Sequence, residues 1–115
     1  MTTDIRLVEL WEQWKDALAD ELKETSPEVA DKRHAVTDEI EWKIKAERAE
    51  GPMGLVIQMG LAQWGTMPDA NELILYSALV SLTGLDVKAE ADALFTEREL
   101  QTKVINLTDR RKGRL

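Results

Sequence analysis

His34 is the single histidine of this 115-residue chain and its only neutral-pH base. It sits in Asp31-x-x-His34, half of the spacing by which di-iron carboxylate bundles hold metal. Those sites need two Glu-x-x-His units and two further glutamates facing one bundle core. Here Asp replaces Glu, and Asp38 and Glu41 are the neighbours of His34 in helical projection, which places it on a polar face. A solvated surface histidine is the expectation; a site shared across a dimer axis is the alternative. Glu9-x-x-Glu12 and Glu21-x-x-Glu24 have a spacing that suits magnesium, provided the acids project inward from several helices. Glu9 and Glu12 instead fall opposite a tryptophan face, so a solvated acidic face is expected. Ser77 and Ser81 have no base within reach along the chain and are expected to bond a helix carbonyl or line a packing seam. There is no P-loop, no GxGxxG and no GxSxG. The absence of cysteine excludes disulfides, thiolate metal sites and cysteine nucleophiles. The expectation is a non-enzyme with no catalytic, cofactor-binding or metal residues.

The elements that hold these residues read as helices throughout. Leu7, Trp11, Trp14, Leu18 and Leu22 recur at spacings of four and three, predicting a helix from Ile5 to about Glu24. Core packing is the first reading of the two tryptophans, and a partner-binding stripe the sharper one. Ser26 and Pro27 then suit the N-cap and first position of a second helix, running to about Glu50 and ended by Gly51-Pro52. Val29, Val36, Ile40 and Ile44 form its main stripe. Ala35, Trp42, Ala46 and Ala49 form a second, weaker one. The short connection predicts an antiparallel hairpin.

Gly51 to Gly65 carries no charged side chain, in a protein where 32% of residues are charged. Only Gln58 and Gln63 interrupt its apolar run, which is expected to form a short, surrounded helix. Gly54 and Gly60 suit positions where another backbone packs closely. Asp69 and Glu72 have capping-box spacing ahead of a second apolar helix, Leu73 to Leu82, closed by Gly84. Asp86 caps a last helix from Val87, with Ala91, Leu94 and Phe95 on one face. The uncharged centre is about a dozen residues, short of the roughly 20 that span a bilayer. The acidic, amphipathic start does not read as a signal peptide, so a cytoplasmic location without membrane insertion is expected.

Charge divides the chain. Met1 to Glu97 holds 9 Lys+Arg against 20 Asp+Glu, or −11; Arg98 to Leu115 holds 6 against 2, or +4. An acidic body disfavours phosphate contacts. A helix-turn-helix reading of Leu73–Leu82 and Val87–Phe95 would place Glu90 and Asp92 against the phosphates.

The run EIEWKIKAERAEGPMGLVIQMGLAQW, followed by ELILYSALVSLTGLD, resembles small helical proteins encoded by alphaproteobacteria and their prophages. That resemblance implies a bacterial or phage accessory protein and supplies no catalytic residues. Taken together, the expected fold is all-α: a compact bundle of four to five helices with an N-terminal antiparallel hairpin. The two apolar helices lie at its centre, in a domain over 1–107 with a basic tail over 108–115. The expected function is a small helical adaptor or regulator, oligomeric, with a homodimer as the expected assembly. Its protein contacts are assigned to Trp11, Trp14, Trp42 and Ala46, with Arg110, Arg111, Lys112 and Arg114 as an electrostatic tail. The alternatives are a nucleic-acid-associated protein using that tail, or an acidic inhibitor of a nucleic-acid-binding protein through Glu9, Glu12, Asp16 and Asp20.

Overall fold

The computed structural model describes residues 4–96. Among them the protein is all-α: α1 (Ile5–Lys23), α2 (Pro27–Ala46), α3 (Pro52–Gln63) and α4 (Ala70–Thr83). A fifth helix, α5, starts at residue 87 and is followed to 96. The expected helical bundle is what forms. The boundary expected between domain and tail lies outside the described residues.

α1 and α2 make the antiparallel hairpin. Asp4, ahead of α1, bonds the backbone beyond α2, while Glu21 near the end of α1 meets His34 in the first half of α2. Leu7, Leu10, Trp11, Trp14 and Leu18 are buried along one side of α1, as their spacing predicts. Burial of each large apolar side chain stabilises by roughly 1.5–3 kcal/mol, so this one stripe is a main source of the core's stability.

α2 departs from its expected form. It stops at Ala46, and residues 47–51 lead into α3. Gly51 is therefore the N-cap of α3, in extended backbone, and not the residue after α2. Of the expected main stripe Ile44 is buried and Ile40 half-buried, whereas Val29 and Val36 are exposed. Thr37 is buried instead, its hydroxyl donating to the Arg33 carbonyl. Ser26 holds the N-cap position but its side chain makes no capping bond.

α3 is the central element, with Gly54, Val56, Ile57, Gly60, Leu61 and Gln63 buried. Its glycines are there for closeness. A Cβ on Gly60 would lie 2.5 Å from the Val87 Cβ, and one on Gly54 would lie 2.7 Å from the Asp4 Cγ. Val87 and Ala91 of α5 complete the core.

α4 is not the second central helix that its composition suggests. It packs along α3, and only Tyr76 and Leu79 are buried. Its start is as expected, with the Asp69 carboxylate accepting from the Glu72 amide. Its end is also as expected, with Gly84 left-handed at φ +75°. Asp86 then caps α5, accepting from the Ala89 amide at 3.1 Å.

Candidate protein-interaction surface

The expected contact residues divide into two groups. Trp11 and Trp14 are 1% exposed and cannot meet a partner. They stack on each other at a centroid separation of 5.3 Å, and Trp64 meets the Trp14 ring edge-on at 5.4 Å. Phe95 continues the row against Trp64, whose Nε1 donates to Asp92. The aromatic area that suggested a binding stripe is core, because α3 and α5 close over α1. Trp42 is the opposite case: it stands 74% exposed on α2, with Ala46 exposed one turn on. The tail residues Arg110, Arg111, Lys112 and Arg114 lie outside the described residues.

The larger apolar surface is one the residue types hid. Leu73, Ile74, Leu75 and Leu82 of α4 are 45%, 69%, 51% and 71% exposed. No charged residue occurs from Leu73 to Leu85, and none of positive sign between Arg48 and Lys88. Beside the start of α4 lies an open cleft of about 410 Å³, lined by Leu55, Met59 and Ala62 of α3 and by Glu72. Ser77 and Ser81 are exposed on α4 and not at a packing seam.

Polar side chains set how rigidly this surface is held. Gln63 donates to the Glu72 carbonyl at the start of α4 and accepts from the Lys88 ammonium at 2.8 Å. Tyr76 donates to Asp86 at 2.8 Å and accepts from the Lys88 amide. Burial, reinforced by the Asp86 carboxylate, pushes the Tyr76 hydroxyl up to about 12, so it stays a donor at neutral pH. Gln58, the other polar break in α3, donates to the carbonyls of Ile44 and Glu47 at the end of α2. Gln58 thus serves carbonyls that the end of α2 leaves open, whereas Gln63 adds a bond to a carbonyl in the first turn of α4. An isolated amide inside an apolar run was the signal that would have found them.

Asp4 is the residue that sequence reasoning missed. Its carboxylate is buried and accepts from the amides of Glu50 and Gly54, each at 2.9 Å. Gly54 is the third residue of α3, so Asp4 provides the capping carboxylate that Gly51 lacks. Burial raises its pKa, but the backbone N–H groups of Glu50, Gly54 and Gly51 outweigh that and hold it below the usual range.

The candidate chemistry stays dispersed. His34 is exposed, its Nδ1 2.6 Å from Glu21 and its Nε2 3.3 Å from Asp38. The hydrogen bond to Glu21 and the two carboxylate charges raise its pKa. Among the described residues no group of three or more His, Cys, Asp or Glu is placed to hold a metal. In the helix-turn-helix reading, Glu90 is paired with Lys15 at 3.0 Å and Asp92 accepts from Trp64. The face of α5 carrying Val87 and Ala91 is buried. Among the described residues, no helix is long and apolar enough to cross a membrane. No family model, curated protein or solved structure matches the chain, so the likeness to alphaproteobacterial and prophage proteins has no match behind it.

Proposed function

We propose that this is a non-catalytic accessory protein, bacterial or phage in origin, that acts as a small helical adaptor or regulator through helix–helix contacts. The observation that carries this reading is the exposed, uncharged outer side of α4, presented by a helix that Gln63 holds at its start and Tyr76 at its middle. Large apolar side chains held rigidly at a surface are what protein contacts use. Trp42 on α2 is a second, smaller contact point.

The test is a pull-down from bacterial lysate with the full chain, with and without nuclease. The expected result is a protein that co-purifies under both conditions and is lost when Leu82 is replaced, Leu82→Glu. Capture that disappears with nuclease would overturn the reading and transfer the function to the basic tail.

A second reading has its own observation. Glu9, Glu12, Asp16 and Asp20 all lie exposed on α1. That row supports an acidic inhibitor that occupies a nucleic-acid-binding protein. Capture by this face would weaken steeply with salt, whereas capture by α4 would not.

A further inference from the structure

We infer that the groove between α1 and α2 is covered by the chain's own basic segment, Val104 to Arg114, folded back around α1. This goes beyond the α4 reading above, and its failure would leave that reading untouched.

The groove is open, about 310 Å³, and lined by residues of α1 and α2 alone. Its floor is apolar, formed by Ala17, Val36 and Ile40, and its rim carries Asp16 and Asp20. Val36 and Ile40 belong to the α2 stripe whose spacing predicts burial, yet Val36 is 52% exposed. Asp16 and Asp20 stand one turn apart as like charges, an arrangement that weakens a helix. Neither forms an ion pair among the described residues. The one cation in the groove, Arg33, is engaged by Glu24 at 3.4 Å. What fits here brings apolar side chains for the floor and positive charge for the rim.

One segment of the same chain carries both. Val104, Ile105 and Leu107 are followed by Arg110, Arg111, Lys112 and Arg114. That segment lies outside the described residues, which end at Thr96. Phe95, just before that end, meets Trp64, whose ring meets Trp14 of α1. Asp16 and Asp20 follow Trp14 within two turns of the same helix, and a helix with its side chains is about 10–12 Å across. The stretch from Thr96 to Arg110 can extend to about 45 Å, ample to pass around α1.

Tethering selects this segment over a free partner of the same chemistry. Joined at so short a range, it meets the groove at an effective concentration of order millimolar, which a separate basic peptide would have to match. Anionic lipid and nucleic acid are repelled by the rim. Ion pairs at so exposed a site are individually weak and screened by salt, so the cover is reversible. A polyanion that takes the basic residues would lift it. In the free chain the acidic side of α1 and the basic segment thus occupy each other.

The test is disulfide trapping in the full chain, which has no cysteine of its own. Val36→Cys is paired with Ile105→Cys. The control pairs Ile105→Cys with Trp42→Cys, on the other side of α2 by helical spacing. Mild oxidation at low salt is expected to join positions 36 and 105 within one chain, several-fold faster than 42 and 105. Arg110→Glu, Arg111→Glu and Lys112→Glu together are expected to bring the first pair down to the rate of the second, with the helical circular dichroism unchanged. Salt at about 1 M, where charges are screened beyond about 3 Å, should do the same without any change of sequence. Equal rates for the two pairs overturn the inference. So does a rate for 36 and 105 that stays the same under either treatment, or a disulfide that joins two chains in place of one.

Discussion

The carboxylate of Asp4 is taken from its own helix and given to another. It stands at the N-cap of α1, makes no capping bond there, and reaches instead to Glu50 and Gly54 at the start of α3. Asp4→Asn keeps the shape but turns an amide donor toward one of those N–H groups. The expected loss is about 1–3 kcal/mol at pH 7, read from the urea midpoint. The sign with pH follows from the lowered folded pKa. The stabilisation is present above the ordinary carboxylate range, near pH 4, and disappears as pH falls through the folded value. The difference between Asp4 and Asp4→Asn should therefore narrow in acid. An equal difference at pH 7 and at about pH 2 would count against a charged latch. Nothing local in Thr3-Asp4-Ile5 announces this role, since an aspartate before a helix reads as that helix's cap. The bond spans 50 residues of sequence, beyond the reach of any spacing rule.

At the scale of elements, closeness is set by Gly60. A methyl there meets the Val87 Cβ, an atom fixed to the α5 backbone, at 2.5 Å. Helix propensity favours alanine over glycine by about 1 kcal/mol, while forcing α5 away from α3 costs roughly 1–3 kcal/mol and strains the Tyr76 contact as well. The clash should win, so Gly60→Ala is expected to lower the urea midpoint. A raised midpoint would show that α5 gives way freely. The need for glycine at this position was legible, because an isolated glycine in an apolar helix signals close approach. The stripe of α1, the two glutamines as interruptions and the caps at Asp69, Gly84 and Asp86 were legible too. The surface position of α4 was not. An uncharged helix has the same composition whether it is wrapped or bare, and only the arrangement of α1, α3 and α5 decides which. The two-edged pattern of α2 set Trp42 apart from the main stripe, and Trp42 is exposed, but it misplaced Val29 and Val36.

At the scale of the whole molecule, the Asp4 latch ties the entry of α1 to the start of α3. One consequence of the Asp4 latch concerns the order in which the protein is made. Its two halves leave the ribosome roughly 3–10 s apart, at the usual rate of chain growth. The α1–α2 hairpin joins near neighbours in sequence, contacts that form sooner than those between distant elements. During synthesis, then, the carboxylate of Asp4 is made before the α3 amide that it will cap. The fold is closed by a residue made before the helix it caps.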